Sequence, residues 1–227
     1  MIEFRLHGYA KKYAKHLIYD VARKFNVKGV TRKRAVPHIT LYGPFQTNDE
    51  RRLVSEIIAI GQRYDLVPFE VKGFNFFNNK NNKVIYLDIE PSEELTCLRR
   101  DIALNLLKFT KTKPFDSNPN FVFHATVAFK DIDYKFDRIW NYISQKQELC
   151  INQYLLRITI IKNGKILYEY DLFQKRLLSR RQALNKSDWN KTIELLKRKQ
   201  SDHSQDIDDK EEHWSIWDEI KSFMKIR

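Results

Sequence analysis

The sequence predicts a two-lobed α+β fold followed by a helical C-terminal extension. Apolar periodicities divide most of the chain into two successive blocks of strand, helix and strand, with further strands attached. Each block contains one strand with a histidine and a threonine two positions apart, in His38-Ile39-Thr40-Leu41 and in His124-Ala125-Thr126-Val127. We therefore expect a duplicated domain over residues 1–178 and a helical extension over residues 179–227.

The first block follows from alternating and helical patterns of apolar residues. Ile2, Phe4 and Leu6 alternate with charged residues, which is typical of a half-buried strand. An apolar residue at every fourth position from 13 to 25 indicates an amphipathic helix. The polar run 78–82 between two apolar stretches indicates a hairpin. The predicted elements are strands 2–6, 37–42, 69–77 and 83–89, and helices 9–25 and 49–63.

The second block and the extension are predicted in the same way. Ser92 is suited to begin a helix, and Asn163-Gly164 between two β-rich runs indicates a tight hairpin. After residue 179 the share of charged residues rises and apolar residues again recur at helical spacing. We expect a polar linker over 201–212. A short apolar stripe follows it, which we expect to dock on the body of the protein or on a protein partner. The predicted strands of the second block are 121–129, 154–162 and 165–173, its second helix is 136–145, and the stripe is Trp214, Trp217, Ile220 and Met224.

Composition limits the classes of protein to consider. The chain has 227 residues, of which 42% are hydrophobic, and this excludes a mainly disordered protein. Lysine and arginine total 41 against 29 acidic residues, a net charge of +12, which favours polyanionic partners such as RNA. Cys97 and Cys150 form no paired motif, so we expect buried or half-buried reduced thiols. Without a signal-like N-terminus or an apolar run of membrane-spanning length, we expect a soluble, cytoplasmic protein.

The two His-x-Thr strands carry the chemistry. Residues two apart on a strand face the same way, so each strand presents an imidazole beside a hydroxyl on a rigid support. His38 and His124 can divide acid and base roles, while Thr40 and Thr126 can donate hydrogen bonds to phosphate oxygens. The arrangement requires no metal or other cofactor. One such histidine alone is more often structural, but two strands with this pattern predict a single phosphate-handling site.

The motifs resemble those of a known family. Pro37-His38-Ile39-Thr40-Leu41-Tyr42-Gly43-Pro44-Phe45 and Phe123-His124-Ala125-Thr126-Val127 are similar to the two signatures of the 2H phosphoesterase superfamily, and within it to the LigT-like or 2′-5′ RNA ligase group. The resemblance covers about residues 1–178. It implies two antiparallel sheets flanking a central cleft, with helices outside, and an enzyme that opens 2′,3′-cyclic phosphates; some members join RNA ends through 2′-5′ linkages.

Candidates for substrate contact lie near the motifs. LigT-like enzymes usually have an arginine five residues after the second histidine, where this chain has Phe129. The next residue, Lys130, shares the alternation of His124 and Thr126 and can supply a cation instead. Tyr42 shares the alternation of His38 and can stack on a base, although a core tyrosine is an equal alternative. Arg34, in the basic run 32–34, can guide a polyanion; a solvated charged loop is the alternative.

Three functions remain open at this point. The first is cleavage of RNA 2′,3′-cyclic phosphates, with reverse 2′-5′ ligation as an associated activity. The second keeps the same site but acts on a small cyclic nucleotide. The third is an RNA-binding protein that uses the same scaffold without turnover.

Overall fold

A computed structural model of the protein describes residues 1–205 except 32–34, 80–81, 113–115, 117, 119 and 147–148. Within these residues the chain forms nine strands and six α-helices, which agrees with the predicted mixture of helices and antiparallel strands. The strands are β1 Ile2–Arg5, β2 His38–Tyr42, β3 Pro68–Asn79, β4 Asn82–Pro91, β5 His124–Phe129, β6 Cys150–Tyr154, β7 Arg157–Lys162, β8 Lys165–Asp171 and β9 Arg176–Ser179. The helices are α1 Gly8–Phe25, α2 Glu50–Gly61, α3 Glu93–Leu106, α4 Phe136–Ser144, α5 Arg180–Ala183 and α6 Lys186–Gln205.

All nine strands belong to one antiparallel sheet, in the order β6-β3-β4-β5-β2-β1-β7-β8-β9. The resemblance implied two sheets; here two groups of strands are joined at β2 and β5, whose described pairing is the single pair Ile39 and Ala125. The two strands with the His-x-Thr pattern therefore meet at the middle of the sheet. The division of the chain at residue 178 stays a prediction.

One face of the sheet forms the main core. Ile39 and Ala125 are each 1% exposed, and both belong to the large cluster of buried apolar residues. Helices α1, α2 and α3 pack on the strands from this side; Gly61 of α2, for example, lies against the ring of Tyr170. Because neighbouring residues on a strand alternate, the histidines and threonines of the two motifs project from the opposite face.

Two helices begin at residues whose side chains cap them. The side chain of Asp49 accepts a hydrogen bond from the amide of Arg52, and that of Ser92 accepts one from the amide of Leu95. Both predicted hairpins are present, since Asn79 pairs with Asn82 and Lys162 pairs with Lys165.

The structure corrects three details of the prediction. The strand predicted over 154–162 is β7, which begins later, at Arg157; Tyr154 instead ends β6, in another part of the sheet, and neither β6 nor β9 was predicted. Residues 201–205 belong to helix α6 rather than to a linker. Cys150, on the edge strand β6, is exposed, whereas Cys97 is half-buried as predicted. The apolar stripe predicted over 214–224 lies outside the described residues.

Helix α6 is fastened to the sheet by a buried ionic cluster. Arg157 on β7, only 3% exposed, contacts Asp171 at 2.8 Å and Glu169 at 3.4 Å. The same guanidinium donates to the carbonyl of Asp188 and to the Thr192 hydroxyl on α6, at 2.9 and 2.7 Å. A charge removed from water needs such a full set of partners, so these contacts fix α6 on the sheet.

Candidate active site

The structure places the four predicted catalytic residues side by side on one face of the sheet. In the antiparallel pairing of β2 with β5, Ile39 stands opposite Ala125. One step along each strand therefore sets His38 beside Thr126 and Thr40 beside His124. All four side chains are partly exposed, whereas the residues between them are buried. The arrangement presents two imidazoles and two hydroxyls to one small volume.

Both histidines are held in the same way by the backbone. Nδ1 of His38 lies 2.8 Å from the carbonyl oxygen of Val36, and Nδ1 of His124 lies 2.9 Å from that of Val122. A carbonyl oxygen can only accept, so each Nδ1 carries a hydrogen. The neutral form of each ring is thereby fixed with a lone pair on Nε2, the atom left for proton transfer. The hydrogen bond from Nδ1 to the carbonyl fixes the orientation of each ring as well as its tautomer.

His124 has aromatic surroundings. The ring centroids of Phe77 and Tyr86 lie 5.0 and 5.2 Å from that of His124. Burial lowers the pKa of His124, and the nearby charge of His38 lowers it further, while the Val122 carbonyl and Asp88 oppose the shift. The neutral imidazole is therefore favoured, as a general base requires.

His38 has polar surroundings. Its side chain is 35% exposed, and its Nε2 lies 3.9 Å from a carboxylate oxygen of Glu3. Glu3 is almost fully buried and also accepts a hydrogen bond of 2.8 Å from Nε of Arg5. A carboxylate at this distance stabilises an imidazolium, the form that a general acid requires.

A bulge follows each His-x-Thr pair and reverses the alternation. On β2, Thr40 pairs with Glu3 and Tyr42 pairs with Ile2, so Leu41 is the extra residue. Tyr42 consequently points into the core, where it is 0% exposed and its hydroxyl lies 2.6 Å from that of Thr110. The prediction that Tyr42 can stack on a base is corrected: of the two alternatives, the structure has the core tyrosine.

The corresponding bulge on β5 corrects the position of Lys130. Thr126 pairs with Tyr86 and Ala128 with Ile85, so Val127 and Ala128 are both buried and alternation restarts one residue later. Phe129 therefore returns to the face of His124, whereas exposed Lys130 leaves the strand with φ of +71° and its amino group 4.9 Å from the ring of Phe129. Arg34, the remaining candidate, lies outside the described residues.

The structure adds three charged residues that were not predicted. Glu3 and Arg5 on β1 pair with Thr40 and His38, and Asp88 on β4 pairs with His124, so all three share the face of the motifs. The alternation of the first strand did place Glu3 and Arg5 on one polar face. Their position beside β2 depends on strand order, which that pattern does not contain.

The described residues form neither a metal-ligand cluster nor a membrane-spanning helix. They contain no group of three or more His, Cys, Asp or Glu side chains arranged to hold a metal ion. None of their helices combines the length and the apolar character needed to cross a bilayer.

Comparisons with known proteins give a family and several relatives. The family model described as the 2′-5′ RNA ligase superfamily matches residues 14–162. A protein of Bacillus pumilus named "Putative phosphoesterase" is 31% identical over 98 residues, which is 41% of this chain and 52% of that protein. A protein of Bacillus thuringiensis with the same name is 28% identical over 130 residues, 56% of this chain and 63% of the relative. The chain thus spans between half and two thirds of the length of these relatives.

Proposed function

Because this chain belongs to the 2′-5′ RNA ligase superfamily of 2H phosphoesterases, we propose that it opens the 2′,3′-cyclic phosphate of an RNA or nucleotide without a metal cofactor. Membership confirms the resemblance indicated by the two motifs. The observation that carries the proposal is the matched fixing of His38 and His124, each held at Nδ1 by a carbonyl so that Nε2 is left for proton transfer.

The surroundings of the two histidines support a division of roles. His124, with its lowered pKa, accepts a proton at Nε2 from the attacking water, whose oxygen forms a bond to phosphorus. As the bond from phosphorus to one ribose oxygen breaks, protonated His38 donates its Nε2 hydrogen to that oxygen. The products are a phosphomonoester and a free ribose hydroxyl, and the two histidines have exchanged protonation states.

The threonines act on the charge that develops at phosphorus. The hydroxyls of Thr40 and Thr126 donate hydrogen bonds to the non-bridging oxygens, which gain negative charge in the transition state. With an RNA 5′-hydroxyl in place of water, the same proton transfers form a 2′-5′ linkage: the 5′-oxygen bonds to phosphorus as the bond to the 3′-oxygen breaks, and that oxygen takes the proton from His38. We also propose a duplicated, two-lobed ancestry for the domain; the support is that both motifs share the same carbonyl contact and the same following bulge.

The test is turnover of a short RNA ending in a 2′,3′-cyclic phosphate, in the presence of EDTA. His38→Ala and His124→Ala should each lower kcat about 10²- to 10⁴-fold, the usual contribution of a general acid or base. His16→Ala, at an exposed position of α1, is the matched control and should retain full activity.

The position of the phosphate in the product assigns the acid, and three outcomes contradict the proposal. A 2′-phosphate or a 3′-phosphate product identifies which ribose oxygen leaves and therefore where the acid stands. Activity that survives both single histidine changes, or that disappears in EDTA, contradicts the mechanism. Tight RNA binding without any turnover contradicts the enzyme and favours an RNA-binding protein on the same scaffold.

A further inference from the structure

A cavity of about 310 Å³ lies between the C-terminal extension and the sheet. Strands β1, β7 and β8 form one side through Arg5, Thr159 and Glu169, which share the sheet face of the two motifs by strand pairing. Residues 183–186 and Trp189 of the extension form the opposite side. The extension lies beyond residues 14–162, so the family match includes neither this side nor β1.

The cavity adjoins the candidate active site through Arg5. Arg5 stands opposite His38 in the pairing of β1 with β2, and it lines the cavity as well. Its Nε donates to Glu3, whose other carboxylate oxygen lies 3.9 Å from Nε2 of His38. An RNA strand whose cyclic phosphate lies at the histidines and whose preceding nucleotides run past Arg5 therefore reaches the cavity.

The lining suits a nucleotide. Four cations contribute to it together with the indole of Trp189; they are Arg5, Lys11, Arg157 and Lys186. Cations bind phosphate oxygens, and indole rings stack on bases of any sequence. This combination favours a nucleoside with its phosphodiester over an apolar ligand.

The one carboxylate of the lining is already compensated. Glu169 accepts hydrogen bonds from Thr159 at 3.1 Å and from Arg157 at 3.4 Å. Burial raises the pKa of Glu169, although Arg157 and Arg5 oppose this. Glu169 therefore repels a phosphate bound near Arg5 only weakly.

The side formed by the extension is held in place. Arg157 lies over the ring of Trp189, 5.0 Å from its centroid, and His7 contacts the same ring edge-on. The bonds from Arg157 to the Asp188 carbonyl and to Thr192 fix the same turn of α6. A binding surface that is rigid before the ligand arrives loses less entropy on binding.

We propose that this cavity binds the nucleoside that precedes the cyclic-phosphate nucleotide, with the linking phosphodiester at Arg5 and Lys186 and the base on Trp189. The preferred substrate is then an RNA end of at least two nucleotides rather than a mononucleotide. This inference rests on the proposed function and names the substrate class of the same site.

The experiment compares kcat/KM for a mononucleotide, a dinucleotide and a trinucleotide, each ending in a 2′,3′-cyclic phosphate. The dinucleotide should exceed the mononucleotide by about 5- to 100-fold, the range expected for one stacked base, and the trinucleotide should add little. Lys186→Glu and Trp189→Ala should bring the ratio of dinucleotide to mononucleotide towards one, whereas Trp189→Phe should retain most of it. Lys191→Glu is the matched control, since Lys191 is exposed on the same helix and does not line the cavity.

Two outcomes overturn the inference: equal kcat/KM for the mononucleotide and the dinucleotide, or a preference that both Lys186→Glu and Trp189→Ala leave intact. Failure of the proposed function is distinct, because the protein then turns over none of the three substrates. In that case calorimetric binding of a dinucleotide 3′-phosphate still tests the cavity, and equal affinity of the unaltered protein and the Lys186→Glu variant overturns it.

Discussion

The two His-x-Thr strands share their support and differ in their surroundings. On β2 and on β5 the backbone carbonyl two residues before the histidine holds Nδ1, at 2.8 and 2.9 Å. In both strands a bulge begins directly after the threonine and turns the following residues into the core. The scaffold thus delivers two nearly equivalent imidazoles.

Neighbouring strands then make the two imidazoles unequal. β1 contributes the Glu3 carboxylate near Nε2 of His38, whereas β3 and β4 contribute the rings of Phe77 and Tyr86 beside His124. The same motif can therefore hold an acid or a base, because side chains from the neighbouring strands determine which protonation state of its histidine is stabilised.

Among changes that leave both histidines in place, the largest effect is expected from removing the threonine hydroxyl that the two strands share. Thr40→Val and Thr126→Val should each lower kcat about 10²-fold, because each removes one hydrogen bond to the developing charge on phosphorus. Thr96→Val, on the exposed side of α3, is the control for the same change. Steady-state kinetics measures the losses; an effect on KM alone at either position would contradict transition-state stabilisation by that hydroxyl.

A smaller effect is expected from removing the acid beside each histidine. Glu3→Gln should lower the rate about three- to tenfold, because the ring at position 38 loses a negative charge 3.9 Å from its Nε2 at a partly exposed site. Asp88→Asn should change the rate less than threefold and move the acidic limb to lower pH, since Asp88 raises the pKa of His124. Matching pH–rate profiles for the two variants would refute the division of roles.

The smallest effect is expected from the aromatic surroundings of His124. A base must be neutral to act, so its lowered pKa places the acidic limb of the profile below 6.5. Phe77→Leu admits water beside the ring and should move this limb upward by about half a pH unit. Phe76→Leu is the matched control, because Phe76 packs against Phe136 and Trp140 instead. Titration of the His124 ring by NMR checks the shift directly; an unchanged or lower pKa in Phe77→Leu would contradict it.

The sequence alone predicted much of the site because its main features are local. Strands β2 and β5 and the common side of histidine and threonine follow from a period of two, which holds over the first three residues of each motif. The errors begin at the bulges, since an extra residue shifts the period. Tyr42 therefore points into the core, and Phe129 rather than Lys130 lies on the face of His124.

The remaining features depend on contacts between distant parts of the chain. Glu3 and Arg5 reach His38 because β1 lies next to β2, and Asp88 reaches His124 because β4 lies next to β5. The predicted strand 154–162 starts too early for the same reason, since Tyr154 ends β6, which pairs with β3, whereas β7 pairs with β1. Strand order is set by the whole core, and no pattern within one segment contains it.

The buried cluster around Arg157 determines where a shortened gene for this protein can end. A fragment that stops at Ser179 removes Thr192 and the carbonyls of Ala183 and Asp188, and so leaves the guanidinium with only the two carboxylates on β8. A fragment trimmed at its start to the family match at residue 14 loses β1 and, with it, Glu3 and Arg5. Expression for crystallisation or assay should therefore retain residues 1–205 at least, wider at both ends than the family boundaries suggest.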